Sequence, residues 1–502
     1  MIVRKILALP ILLSAAALVS CSGPSKSLPC TSNCGGGTAT LSLTLTAASL
    51  TPPPKTNLLS FIVDITSISL TPSTGSAVNI PLNSTAFSVD LTKLQSDSAF
   101  LGGSTTVPAG SYTSITVSLS NPVVTFCTQA SGATGCAAGS VATLSGAAAA
   151  PVISTAPFPL TLAAKQQTGL AIDLDFGPAL TINTSQVVTA VNLAAANVLT
   201  ATSLPSTSSS LAAGQLDFVQ DTTGIVTAVN AATQSVTVMT ATRGSLTAVA
   251  KSSTVFSPNC SNFSLSLTFS SCVVQGHVAS LDMVLNSDGT FTLLEYDPLA
   301  TTTGDWVEGI LTSTPSSSTQ FQLVTNDLVL KTTNSLIGSG LPLASPVIAT
   351  LVGSPQTPFG VDSKGLIVPA NAFGGGTDTS VLTPGQTVAA HVTAFTPHSG
   401  STLAAASVDF LYLRFTRVTG TVASVAPPNV FTMQTFPPFF ALTTPITVQL
   451  SSGASSTNFD GVASASNLTT GQTVSITALY FGPPVGTTST PTPFSAAKVR
   501  VP

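Results

Sequence analysis

Leu382-Thr-Pro-Gly-Gln-Thr-Val388 and Leu468-Thr-Thr-Gly-Gln-Thr-Val474 differ only at Pro384 against Thr470, and the match continues on both sides. Each copy is followed by an alternating strand and then by an Ala-rich closing strand, Leu403-Ala-Ala-Ala-Ser-Val408 in one and Phe494-Ser-Ala-Ala-Lys-Val499 in the other. The opening strands correspond as well, Val307-Glu-Gly-Ile-Leu-Thr312 beside Val418-Thr-Gly-Thr-Val-Ala423, and a third copy opens more weakly at Thr223-Gly-Ile-Val-Thr-Ala228. Glycine early in a strand suits a bulge or a tight barrel corner, and the Gly-Gln pair suits a turn feeding the next strand. The repeat predicts three consecutive small, OB-like β-barrels over residues 215–300, 301–415 and 416–502. The middle copy carries a long Gly- and Pro-rich loop at about 351–378.

Upstream of the repeats the period is two. Leu41, Leu43 and Leu45 share one face of a strand, with Ser42, Thr44 and Thr46 on the other. Further strands are expected at Phe61 to Leu70, Phe87 to Leu91, Tyr112 to Leu119, Gly169 to Phe176 and Val187 to Leu193. Residues 41–200 read as a β-sandwich, and 201–214 as a Ser-rich linker. Composition agrees with an all-β chain. Only 6% of residues are charged, against roughly 25% in an ordinary domain, and Ser, Thr, Val, Ile, Gly and Pro favour short strands joined by turns. The net charge of -4 and the lack of a basic stripe argue against a nucleic-acid partner.

The N-terminus reads as an export signal, with Arg4 and Lys5 ahead of an apolar stretch from Ile6 to Val19. It runs into Leu18-Val19-Ser20-Cys21, which fits a lipobox: residues 1–20 are removed and Cys21 is lipidated. Acyl chains hold a protein at a membrane by ~0.8 kcal/mol per buried methylene, so several of them suffice without a spanning segment. Residues 21–40 then form a flexible tether, and Ser22 after the cysteine points to the outer membrane of a Gram-negative envelope. Six of the seven cysteines remain. They fall into neighbouring pairs, Cys30 with Cys34, Cys127 with Cys136 and Cys260 with Cys272, which suggests disulfides in an oxidising compartment.

Catalytic residue types are sparse. Three histidines, His277, His391 and His398, and eighteen carboxylates are spread over the chain, and neither a Gly-x-Ser-x-Gly elbow nor a His-Glu-x-x-His motif occurs. Ser495-Ala-Ala-Lys498 matches a Ser-x-x-Lys pattern that needs a helix, whereas its surroundings read as a strand. Asp173 and Asp175 share a strand face about 7 Å apart and offer a Ca²⁺ site if loop carbonyls assist; a solvated face explains them too. Asp64 and Asp90 read as strand-blunting carboxylates. Tyr112, after a turn, reads as a buried anchor. Phe436, Phe439 and Phe440 form an apolar cluster that suits either a partner contact or burial between barrels. With a single tryptophan, Trp306, and four tyrosines, the stock of sugar-stacking rings is thin.

The order Phe61-Ile-Val-Asp-Ile-Thr-Ser-Ile68, Phe87-Ser-Val-Asp-Leu-Thr-Lys-Leu94, Val107-Pro-Ala-Gly-Ser-Tyr-Thr-Ser-Ile115 and Ile172-Asp-Leu-Asp-Phe176 resembles the bacterial domain of unknown function 4382. The C-terminal repeats resemble the domain of unknown function 5666, a small β-barrel. Neither resemblance implies an activity; both imply a surface lipoprotein. The expectation is a non-catalytic, lipid-anchored cell-envelope protein with a structural, adhesive or ligand-presenting role, its partners being the membrane and an envelope protein or polysaccharide. The alternatives are a binding module for carbohydrate or Ca²⁺-dependent contacts, and an envelope hydrolase with an unrecognised site.

Overall fold

A computed structural model describes residues 37–501 apart from 49–55, 86, 129–134, 206–208, 263–266, 316, 354–356, 365, 367, 369–372, 441–444, 453–455 and 483–492. Almost all of its regular structure is strand. The N-terminal unit has two sheets over one core. Leu199–Leu204, Gln167–Leu174, Thr38–Ala47 and Ala99–Pro108 lie side by side in that order, and the facing sheet is built on Thr56–Pro72 paired with Gly110–Thr128. Leu41, Leu43 and Leu45 project into the space between them and meet Phe61, Val63, Ile115 and Val117. Phe61 stacks on Phe176 with ring centroids 5.4 Å apart. Tyr112 is buried and its hydroxyl donates to Pro108 O at 2.6 Å, which fastens the turn before its strand.

The opposite face of the first strand is not solvated. Ser42, Thr44 and Thr46 are all buried. The first barrel lies over this region, and Thr44 Oγ1 donates to Asp217 Oδ2 at 2.8 Å. Alternation identifies two faces; it does not distinguish water from a polar domain interface.

Three rings of strands follow with one topology. In the first, Gln215–Asn230, Ser235–Met239, Ser245–Phe256, Val278–Asn286 and Phe291–Ala300 close into a barrel. Its order is first, second, third, fifth, fourth and back to first, and only the third and fifth strands run parallel. Asp305–Leu311, Gln320–Val329, Pro346–Leu351, Thr387–Thr396 and Ala404–Ala426 repeat this cycle of pairings. The third ring uses Ala404–Ala426 again as its first strand, followed by Val430–Gln434, Ile446–Leu450, Thr473–Tyr480 and Phe494–Arg500.

The repeated heptapeptides form the same turn. Gly385 and Gly471 sit at φ +92° and +85°, a region open to glycine. In each copy the glutamine reaches back to cap the turn: Thr383 N donates to Gln386 Oε1 at 2.8 Å, and Thr469 N to Gln472 Oε1 at 3.0 Å. Gly276 (φ +90°), followed by His277, holds this position in the first ring. The opening-strand glycines are places of close approach, since a β-carbon on Gly309 would collide with the carbonyl of Val324, and one on Gly224 with that of Met239.

Two expected boundaries move. Residues 201–204 belong to the last strand of the sandwich instead of a linker. A division at 415/416 cuts through a 23-residue strand that serves two rings. The inserted loop of the second ring contains a short strand, Gly360–Val361, parallel to Tyr412–Leu413, and it carries Asp362 and Lys364 into the interior.

Candidate functional site

In a chain with so few charges, their location is informative. Five of its basic and six of its acidic side chains form one ion-pair network where the sandwich and all three rings meet. The bases are Lys93, Arg243, Lys364, Arg414 and Arg417; the acids are Asp97, Asp221, Asp282, Glu308, Asp327 and Asp362.

Asp221 stands at the centre. The register between its strand and Val278–Asn286 shifts between Val219 and Thr222, and Asp221 takes φ +52° within that bulge. This backbone is unusual for a residue other than glycine, and it turns the carboxylate toward four cations: Arg417 Nη2 at 2.5 Å, Arg414 Nη2 at 2.6 Å, Lys364 Nζ at 3.2 Å and Lys93 Nζ at 3.8 Å. Burial alone would raise its pKa, but Arg414, Lys364, Arg417 and Lys93 outweigh burial and hold the carboxyl well below its ordinary value.

Arg414 is inaccessible to solvent. It donates through Nε to Glu308 at 2.9 Å and through Nη2 to Asp221 and Thr223, and its Nη1 meets Asp362. Burial pushes the Glu308 carboxyl up, yet Lys93 and Arg414 bring it below its usual value. Lys93, from the short helix Lys93–Gln95 of the sandwich, reaches Glu308 at 2.7 Å and Asp327 at 3.3 Å. Asp97 takes two guanidinium nitrogens of Arg417 and the hydroxyl of Thr477. A second contact ties the sandwich to the later rings. Cys127 and Cys136 are disulfide-bonded, and the loop end docks with Gly135 N on Phe439 O and Cys136 N on Thr312 O.

Beside the network lies a cavity of about 70 Å³ lined by residues including Asn57, Lys93, Asn326, Arg417 and Phe439. Both amide atoms of Asn57 and Oδ1 of Asn326 are buried there without a hydrogen-bond partner. A larger open groove, about 450 Å³, runs between the sandwich edge at Phe100–Thr105 and the hairpin at Asp288–Gly289.

The residues singled out from sequence are dispersed. Cys21, Cys30 and Cys34 lie outside the described residues. Cys260 and Cys272 form a disulfide within the first barrel. Asp173 and Asp175 do not act as a pair: Asp173 accepts from Thr46 Oγ1 at 2.7 Å, while Asp175 caps the short helix Phe176–Ala179 through Gly177 N. Burial raises the Asp173 pKa. No group of three metal-ligating side chains occurs among the described residues. Asp64 accepts from Asn121, as a surface carboxylate does. Asp90, by contrast, is buried and receives Ser60, Phe61 N and both donors of Thr92, so it organises the interior of the sandwich and does not blunt an edge.

Of the two readings of the phenylalanine cluster, burial is the one the geometry shows. Phe439 and Phe440 are buried in the core of the third ring, and Phe436, partly buried, stacks on Phe494 with ring centroids 5.7 Å apart. His277 is buried with Nδ1 unpartnered, and burial lowers its pKa. His398 is exposed. His391 Nδ1 lies 2.7 Å from Asp409 Oδ1 and its ring packs on Trp306, and among the described residues no serine or cysteine hydrogen-bonds that ring. Ser495 and Lys498 lie on the strand Phe494–Arg500, not on the helix that a Ser-x-x-Lys pattern needs.

The charge network escaped sequence reading because its members come from every domain. A local signal did exist: Leu411-Tyr-Leu-Arg-Phe-Thr416 is buried at every position, and an arginine inside such a run requires buried partners.

No curated protein and no solved structure matches this chain. Residues 38–199, the sandwich, match the family model described as Domain of unknown function (DUF4382).

Proposed function

We propose that this chain is a non-catalytic, lipid-anchored cell-envelope protein in which the sandwich and the three rings act as one rigid presenting body at the end of a tether. The observation that carries the reading is the inward use of charge. The chain commits eleven of its scarce charged side chains to the seam between domains, where they oppose relative motion of the parts. Buried pairs bring little net stability over apolar packing but a heavy penalty when one partner is withdrawn, so they favour a single arrangement of the parts. That property suits a structural or adhesive element better than a hinged enzyme.

The test is fractionation of cells expressing wild type or Cys21→Ala. The wild type is expected with the membranes and the processed variant in the soluble envelope fraction. A processed Cys21→Ala protein that stays with the membranes overturns the anchor.

A binding role is favoured by the open groove at the sandwich edge, where Ser42, Asn83, Ser104 and Asp288 supply polar groups beside Phe100. Carbohydrates are recognised by such combinations of hydroxyl partners and a ring. Binding of polysaccharide fragments that Phe100→Ala abolishes would establish this reading; equal binding by both proteins would remove it.

A further inference from the structure

Lys364 and Asp282 meet inside the seam. Lys364 Nζ lies 2.5 Å from Asp282 Oδ1, both side chains are almost wholly removed from water, and Nζ sits 5.2 Å from the centre of the Phe415 ring. Glu295 is the residue directly opposite Asp282 on the neighbouring strand. Cross-strand partners have β-carbons about 5 Å apart on the same face. Glu295 is buried with Oε1 lacking any hydrogen-bond partner.

We propose that Lys364 and Asp282 join through an intramolecular amide between Nζ and Cγ, formed by the folded chain itself, with Glu295 carrying the proton. This bond would staple the inserted loop of the second ring to the fourth strand of the first.

The chemistry balances without a cofactor. Glu295 starts protonated: burial first, then the charges of Asp282 and Asp297, push its carboxyl well above the ordinary range. It gives its proton to Asp282 Oδ2 and takes one from the Lys364 ammonium, leaving a neutral amine beside a neutral carboxylic acid. The amine lone pair adds to Cγ and the carbonyl electrons move onto Oδ1, which already accepts Asp221 N–H at 2.8 Å. A donor placed at that oxygen stabilises the charge that develops on it. A second ammonium proton passes to Oδ2, which leaves as water, and the carbonyl re-forms. One ammonium and one carboxylate become one amide and one water, and Glu295 ends protonated. The packed site holds the two groups together and replaces a bimolecular encounter by proximity.

Asp221, the other carboxylate near Lys364, is the poorer acceptor. It is farther, at 3.2 Å, and Arg414 and Arg417 hold it as an anion, which resists nucleophilic attack.

The test is mass spectrometry of the full chain after denaturation, thiol reduction and proteolysis. The expected product is a branched peptide uniting the Lys364 and Asp282 segments, lighter than their sum by one water. Recovery of both segments only as linear peptides overturns the proposal and leaves an ion pair. Glu295→Gln keeps the size but cannot lend a proton, so it is expected to fold while forming the branched peptide about a hundredfold more slowly, the low end of acid–base contributions. Formation at the wild-type rate in Glu295→Gln overturns the role of Glu295. Lys364→Arg retains the cation and is expected to give no branched peptide; should it fail to fold, the wild-type digest still decides.

Discussion

Arg414 Nη2 lies 2.6 Å from Asp221 Oδ1 although 193 residues separate them, and each belongs to a strand of a different ring. Withdrawing the cation takes from Asp362 its ion-pair partner and from Asp221 and Glu308 one of theirs, all in the buried interior. Arg414→Met is expected to destabilise the protein by ~3–5 kcal/mol, the usual cost of breaking a buried pair by removing one partner. Urea unfolding followed by fluorescence measures it, and a loss below ~1 kcal/mol would show that the network is not a clamp.

The pH response has two opposing parts. Asp221 has a folded pKa below its unfolded value, so its stabilisation is present above roughly pH 4 and is lost as pH falls toward the folded value. Asp297 is the reverse. Burial, the largest cause, raises it to about 6 against the help of Ser257, Arg414, Lys364 and Asn259. Its contribution is complete below roughly pH 4 and is lost as pH rises through about 6. Thermal melts across pH 3–8 should therefore separate the two groups. Asp297→Asn is expected to make the upper limb shallower, Glu295 supplying the remainder, and to leave the acid limb in place; an unchanged upper limb would contradict the assignment.

The Cys127–Cys136 bond closes a short loop whose end docks on Thr312 and Phe439. Replacing both cysteines by serine is expected to lower stability by ~2–3 kcal/mol, as loop closure of this length implies. Reduction of the wild type, which opens Cys260–Cys272 as well, should lower the melting temperature at least as much. A reduced protein that melts like the oxidised one would separate the bond from the docking.

Gly385 combines φ +92° with the Phe440 ring where a β-carbon would stand. Gly385→Ala is expected to cost ~1–3 kcal/mol from backbone strain and overpacking together. Gly471, at φ +85° in the matching turn, has open space around it, so Gly471→Ala should cost less. Equal losses by calorimetry would leave the phenylalanine contact without effect.

The cavity beside Lys93 and Arg417, about 70 Å³, has room for a few waters, each requiring roughly 10–15 Å³. The unpartnered atoms of Asn57 and Asn326 are their natural ligands. A high-resolution crystal structure is expected to show ordered water on both amides, and a dry cavity would refute this.

Much of the fold was legible because it rests on local chemistry. The Leu41, Leu43, Leu45 alternation, the Pro108-to-Tyr112 turn and the Gly-Gln turns each specify their backbone within a few residues, and the strands follow. What escaped was long-range. Ser42, Thr44 and Thr46 read only as the second face of a strand, because hydroxyls look alike whether they face water or another domain. Lys364 read as part of an ordinary loop, since nothing in Val361-Asp-Ser-Lys364 reveals that Asp282 waits 82 residues upstream. The phenylalanines of 436–440 were ambiguous for a related reason: an apolar cluster in a loop identifies burial but not what provides it.

The strand Ala404–Ala426 gives the last two rings a common wall. There is no joint at which they can bend or be parted, and tension applied to one is borne along the same backbone by the other. A chain ending at residue 415 would accordingly keep the pattern of a barrel yet expose the edge on which its missing neighbour was built.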